Sequence, residues 1–226
     1  MSFCDIGFWA NETRRESKTH VKSIVPQRTL SDTRDSNSYT VRKLTDGKCW
    51  MTTNLKLSLT AGTAVTASKN NGTTFSFTPT SCSANGNCPM NGNTFSYDGS
   101  WLYSWYAATA GVGTSSSSGD VDGSICPKGW RLPSTTTGWY NLLRTYSITA
   151  NGDTTASVYS KMQSTPLSFT TGVSSGGTGW ATNIAGSYLL SYPGTTLWYG
   201  HDETYYVYPY AGGERTIGSR VRCVAI

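Results

Sequence analysis

The chain has 226 residues and a net charge of +5, yet only 14% of its residues are charged, against about 25% in ordinary soluble domains. Aromatics reach 12%, with 14 Tyr and 8 Trp, and Gly, Ser and Thr fill much of the remainder. This balance disfavours a cytosolic enzyme and suits an extracellular, β-rich binding protein, and no apolar run is long enough to span a bilayer. The length admits one large or two small domains. Eleven of the eighteen Lys and Arg residues precede residue 70, and none lies between Lys69 and Lys128. The Arg14-Arg15-x-x-Lys18 cluster therefore reads either as a patch for an anionic surface or as a solvated N-terminal segment.

Residues 1–28 form an N-terminal arm. Phe3, Ile6, Phe8 and Trp9 suit a strand or packed arm, and Asn11 to Lys22 reads as a polar turn or short helix. From Thr29 the pattern sharpens. Tyr39, Val41 and Lys43 alternate with Thr40, Arg42 and Leu44, Asp46-Gly47 interrupts, and Cys49-Trp50-Met51 follows. Asp-Gly between two such runs predicts a hairpin. Leu55, Leu57 and Leu59 continue at period two and predict another strand. Residues 60–100 are rich in Thr, Ser, Asn and Gly. The reading there is a stapled loop with a short strand at Thr74–Phe77. Trp101 to Ala108 is read as a first helix serving the core, and Thr114–Gly119 as a flexible linker by composition.

Ile125-Cys126-Pro127-Lys128-Gly129-Trp130-Arg131-Leu132-Pro133 is the most structured stretch, and a helix follows it. Ser134 offers a capping oxygen, Pro133 stops the strand-like entry, and Trp139, Leu142, Leu143 and Tyr146 recur on a 3.6-residue period. Tyr159–Met162 predicts a further helical turn, and Leu167-Ser168-Phe169 a strand. Gly172–Gly179 is glycine-rich but lacks the signature of a phosphate cradle. The densest aromatic stretch runs from Trp180 to Tyr210, punctuated by Pro193-Gly194 and followed by Gly212-Gly213. In the final stretch Val221, Cys223 and Ala225 alternate with Arg220 and Arg222, as a half-buried strand should. The expected fold packs this strand against the Trp130 segment.

Six cysteines suit an oxidising compartment and allow fifteen pairings. Cys126–Cys223 would join the two packed segments, Cys82–Cys88 would close a local Asn/Gly loop, and Cys4–Cys49 follows by elimination. Zinc is the rival explanation, but no Cys-x-x-Cys and no close Cys/His spacing is present. Met1-Ser2 opens on no secretion signal, so an exported protein would have carried its leader upstream of this sequence.

The Cys-Pro-x-Gly-Trp-Arg-Leu-Pro run resembles the Fibrobacter succinogenes major paralogous domain. So do Asp35-Ser36-Asn37-Ser38-Tyr39-Thr40-Val41, Cys49-Trp50-Met51-Thr52-Thr53-Asn54-Leu55 and the Val-Arg-Cys-Val ending. The likeness covers roughly residues 29–226 and implies a single α+β domain over that range. The implied fold is C-type-lectin-like, similar to the formylglycine-generating-enzyme-like fold, with two helices, a twisted antiparallel sheet and long disulfide-stapled loops. It also implies a secreted or cell-surface bacterial module, and no known chemistry. Where the family pattern commonly reads Tyr-Trp-Ser-Ser-Thr, this chain has Leu197-Trp198-Tyr199-Gly200-His201. A fixed scaffold with an unusual C-terminal patch resembles the variable proteins of diversity-generating retroelements.

Enzymatic readings find little support. His20 and His201 are the only histidines, and His201 beside Asp202 and Glu203 does not form a triad by adjacency. No Glu lies between Glu16 and Glu203, which leaves carboxylate-pair catalysis to isolated aspartates. The Glu-Pro-Asn, Gln-Pro-Asp and Trp-Asn-Asp runs of calcium-dependent lectins are absent, and Asp120-Val121-Asp122-Gly123 reads as a turn. No cofactor, metal or nucleic acid is expected.

Tyr and Trp supply rigid contact area, with Ser, Gly and Asn as adaptable partners, as in antibody paratopes. Tyr206, Tyr208 and Tyr210 share one face of a predicted strand over Tyr205–Tyr210. These rings either form a ligand surface or simply cover a sheet. The expectation is non-enzymatic recognition of a protein or glycan on a cell surface. Its candidate residues are Tyr188, Leu190, Tyr192, Trp198, Tyr199, His201, Asp202, Tyr206, Tyr208 and Arg215. The alternatives are a carbohydrate-active or formylglycine-type enzyme, and a structural surface protein.

Overall fold

The structure is a computed structural model that describes residues 27–80, 89–90, 101–134, 138–148, 156–169, 175–176, 179–180, 184–189, 195–201, 205–212, 215 and 218–226. In chain order the first elements are β1 (Arg28–Ser31), β2 (Ser38–Lys43), β3 (Cys49–Met51), β4 (Val65–Lys69), β5 (Thr74–Phe77), β6 (Pro89–Met90) and β7 (Leu102–Tyr103). Next come α1 (Trp105–Ala108), β8 (Gly123–Ser124), β9 (Trp130–Arg131), α2 (Trp139–Thr145) and α3 (Ala156–Gln163). The last are β10 (Ser175–Gly176), β11 (Gly179–Trp180), β12 (Ile184–Leu189), β13 (Thr195–His201), β14 (Tyr205–Gly212) and β15 (Val224–Ala225).

The main sheet has five strands in the order β1-β2-β3-β15-β9. Its hairpin between β2 and β3 follows from Asp46-Gly47. Gly47 takes φ +79°, where a side chain is disfavoured, while the Asp46 carboxylate accepts the Lys48 N–H at 3.1 Å and the Trp50 indole N–H at 2.9 Å. The end of the chain lies between this hairpin and the Trp130 segment. Val224 pairs with Trp50 on one side and Arg131 on the other, and Ala225 pairs with Trp130, all antiparallel. A disulfide joins Cys126 to Cys223, with the Cα atoms 6.0 Å apart. The expected packing of these segments is therefore present.

Because strand side chains alternate faces, β3 and β15 divide their residues between two cores. Cys49, Met51, Cys223 and Ala225 enter a cluster with Tyr39, Val41, Tyr103, Trp105 and Trp130. Trp50 and Val224 enter a second cluster with Trp139, Leu142, Leu143, Met162 and Phe169. The sheet is covered on both sides at its centre. On the first side, β4 pairs with β5 and β8, and buried Ser68 on β4 donates to the carbonyls of Cys126 and Trp130 at 3.0 and 2.8 Å.

Several expectations need correction. Leu55, Leu57 and Leu59 are buried with exposed Lys56 and Ser58 between them, yet they form no strand. Their backbone instead meets Val221, Tyr39 and Tyr103. Leu55 N–H donates to the Val221 carbonyl and Lys56 N–H to the Tyr39 hydroxyl, while the Leu57 carbonyl accepts from the Tyr103 hydroxyl. Leu167 and Phe169 are buried without forming a strand, for Phe169 N–H turns back to the Met162 carbonyl. The second helix starts at Trp139, with Gly138 and not Ser134 at its N-cap. A Cβ at 138 would collide with the Ser134 carbonyl. Tyr146 falls at the C-cap, so the buried stripe is Trp139, Leu142 and Leu143. The described residues hold three helices where two and a helical turn were expected, α3 extending the Tyr159–Met162 turn. The first helix is confined to Trp105–Ala108 because β7 takes Leu102–Tyr103, with Ser104 capping the Ala107 N–H. Residues 1–26 and Cys82–Cys88 lie outside the described residues.

Candidate functional site: the C-terminal aromatic meander

The aromatic stretch forms its own three-stranded antiparallel sheet, order β12-β13-β14. Pro193-Gly194 separates β12 from β13 in the sequence, as turn-forming residues do. The register sets Ser187, Trp198 and Tyr208 opposite one another in one row, and Ala185, Gly200 and Tyr206 in a second. These two rows share a face, because residues two apart along a strand lie on the same side. The intervening rows belong to the other face: Ile184 with His201 and Tyr205, Gly186 with Tyr199 and Val207, and Tyr188 with Leu197. A bulge follows Thr196, where the register between β13 and β14 shifts, and it ends the simple alternation before Tyr210.

The candidate residues thus separate. Trp198, Tyr206 and Tyr208 fall on one face, and Tyr188, Tyr199 and His201 on the other. Leu190, Tyr192 and Asp202 lie outside the described residues. β14 runs beside both α2 and α3, which brings the meander against the second core's helices.

Arg215 stands apart from these rows, and its guanidinium is already engaged. It donates to the Ser117 carbonyl at 2.9 Å and to the Thr114 carbonyl, and it lies 5.3 Å from the centre of the Trp105 ring. This also corrects the linker expectation for 114–119. Ser117 N–H closes on the Thr114 carbonyl at 3.1 Å, Thr114 N–H closes on the Ser117 hydroxyl at 3.0 Å, and Arg215 fastens the turn from outside. The sequence carries no local signal for this contact, which spans about a hundred residues.

Other polar candidates are held in the scaffold. Asp122 accepts the Asn70 N–H through both its carboxylate and its carbonyl, and Gly123 beside it pairs with Lys69, so 120–123 is no turn but the entry to β8 beside the end of β4. Among the described residues no three His, Cys, Asp or Glu side chains gather as a metal site would need, and no helix is long and apolar enough to cross a membrane. No described cysteine is free: Cys49 is also disulfide-bonded, to a partner outside the described residues.

No curated protein and no solved structure matches the chain. The sequence model of the Fibrobacter succinogenes major domain matches residues 45–224. That span runs from the Asp46 turn through β3 and the meander to Val224 and leaves β1 and β2 outside it. Covering well over half of the chain, the match settles the family: this protein belongs to the Fibrobacter succinogenes major domain family.

Proposed function

We propose that this protein is a non-enzymatic recognition module of C-type-lectin-like architecture, secreted or displayed at a bacterial cell surface. Its meander is held out to a protein or glycan ligand. The observation that supports this reading is the register of β12–β14. It gathers Trp198, Tyr206 and Tyr208 into two adjacent rows whose other members, Ala185, Ser187 and Gly200, are all small. Neighbouring rows on one face lie about 7 Å apart and neighbouring strands about 5 Å apart, so the three positions are adjacent on that face. The opposite face carries Ile184, Leu197 and Val207 together with Tyr188, Tyr199, His201 and Tyr205, so it has its own rings but the larger share of branched aliphatic residues. An antiparallel sheet commonly turns one such face to a core and the other to water. In this reading the aliphatic face is the helix side and the Trp198 face meets ligand. The disulfides at Cys49 and Cys126–Cys223 support an oxidising location.

The test is binding of the whole protein to glycan and surface-protein arrays, repeated with Trp198→Ala/Tyr208→Ala and with Tyr199→Ala. Loss in the first variant with retention in the second is expected. Hits that survive the first variant would remove the meander from the binding role, and arrays that return nothing would favour a structural surface protein. The further proposal of a hypervariable patch predicts that sibling genes differ chiefly between Tyr188 and Ile217. Substitutions spread evenly along the chain would overturn it.

A further inference from the structure

We propose that Arg215 is a joint that fixes the exit of the meander to the body of the protein, a positioning residue and not a ligand contact; the proposal builds on the recognition reading above. The chain leaves β14 at Gly212, and three residues later Arg215 is held by both backbone and side chain. Its carbonyl accepts the Trp105 N–H at 2.8 Å, its guanidinium serves the Thr114 and Ser117 carbonyls, and its charge lies over the Trp105 ring. Trp105 is fully buried, so this anchor belongs to the first core. Residues 218–226 belong to the body. Ser219 and Tyr103 exchange both backbone hydrogen bonds at 2.9 Å, the Val221 carbonyl accepts from Leu55, and Cys223 is disulfide-bonded.

The 113–117 turn is shaped to receive this side chain. A Cβ at Gly113 would collide with the outer edge of the Trp105 ring, so only glycine lets the loop pass so close. β14 also runs beside α2 and α3, so Arg215 adds to those contacts by holding the chain where it leaves the strand. Arginine suits the role because one rigid fork can reach two carbonyls and lie over an indole at once, whereas a lysine ammonium offers no planar fork.

The test is hydrogen exchange on the free full chain, comparing wild type with Arg215→Ala, Arg215→Lys and Gly113→Ala. In all three variants amides in 195–212 and 113–117 are expected to exchange about tenfold faster, as a locally loosened unit does. Those of β3, β9 and β15 should remain as in wild type. Gly113→Ala disturbs the same joint from the other side of the ring, so the result does not hang on one substitution. In the Arg215→Ala/Gly113→Ala double variant the effects should not add. Wild-type exchange in Arg215→Lys would leave charge alone as the requirement and overturn the joint. So would unchanged exchange in 195–212 for Arg215→Ala, or acceleration shared equally by β3, β9 and β15. Because no ligand is needed, the outcome is independent of the array result. A loosened meander together with binding that survives Trp198→Ala/Tyr208→Ala would sink the recognition reading and leave the joint standing.

Discussion

The indole of Trp139 lies 4.7 Å from that of Trp50, tilted by 30°, and so joins the first turn of α2 to the central strand of the main sheet. The stack continues: Phe169 meets Trp139 edge-on at 5.2 Å, and the Arg222 guanidinium lies 4.5 Å from the Phe169 ring centre. Both tryptophans are about 1% exposed. Replacing Trp139 by Ala would open a cavity at the middle of this series and should cost about 3–5 kcal/mol. Trp50→Phe keeps a ring but loses the indole bond to Asp46, and should cost less, about 1–2 kcal/mol. Urea unfolding of the two variants checks the order; equal costs would mean that the stack contributes little beyond the hydrogen bond.

Arg222 makes a second testable link. It is 2% exposed, and its three nitrogens donate to the Asn54 side chain at 2.8 Å and to the Leu167 and Ser168 carbonyls at 2.7 and 2.5 Å. The side chain thus sews the end of the chain to the segment that closes the second core. Arg222→Ala would leave buried acceptors unsatisfied as well as a void, and about 3–5 kcal/mol of destabilisation is expected. Arg222→Lys should recover only part of it, since an ammonium cannot match the fork. Denaturant midpoints that rank Lys equal to Arg would show that charge alone suffices.

These contacts explain what could and could not be read in the sequence. The alternation of Val221, Cys223 and Ala225 with two arginines predicted a half-buried strand, but only Val224–Ala225 is strand and Arg220 and Arg222 are buried as well, because the segment is covered on both sides. Asp46-Gly47 marked its hairpin, and Trp139, Leu142 and Leu143 marked the helix stripe, because those signals are local. Leu55, Leu57 and Leu59 gave a true burial pattern and a false strand. Period two reports which side chains go inward, and only the partners of the backbone decide whether a ladder forms. For the Leu55 segment those partners are Val221, Tyr39 and Tyr103, all distant in sequence. The same holds at the candidate site. Aromatic density located the meander, but the division of its rings between two faces depends on the β12–β13–β14 register and the bulge after Thr196.

The Cys126–Cys223 bridge closes a loop of 97 residues. On the chain-entropy account a loop of that length stabilises by about 4–5 kcal/mol, through restriction of the unfolded chain. Cys126→Ala/Cys223→Ala removes this bridge while leaving the others, and should lower stability by up to that amount. Both sulfurs are buried between β3 and the Trp130 segment, so the native packing should survive. A denaturant midpoint equal to that of the wild type would show that packing of β15 alone holds the terminus.

The phenols of Tyr39 and Tyr103 give a pH signature. Burial, first of all, pushes both above the ordinary tyrosine range, and the nearby Asp35 and Asp32 carboxylates push the same way. Tyr39 accepts the Lys56 N–H at 3.1 Å, which pulls in the other direction by more than either aspartate pushes but less than burial does, whereas Tyr103 donates to the Leu57 carbonyl at 2.8 Å and needs its proton to do so. A raised folded value means that the native state holds its protons when the unfolded chain has begun to lose them. The contribution is therefore complete below about pH 10, the unfolded value, and is lost as pH climbs past it toward the folded values. Denaturant midpoints measured from about pH 9 to pH 11.5 should fall for the wild type. The fall should be shallower for Tyr39→Phe/Tyr103→Phe, which lacks both ionisations, even though that variant starts from lower stability for want of two hydroxyl bonds. The slope, and not the starting level, is the discriminating quantity: parallel curves would mean that other groups govern the alkaline limit.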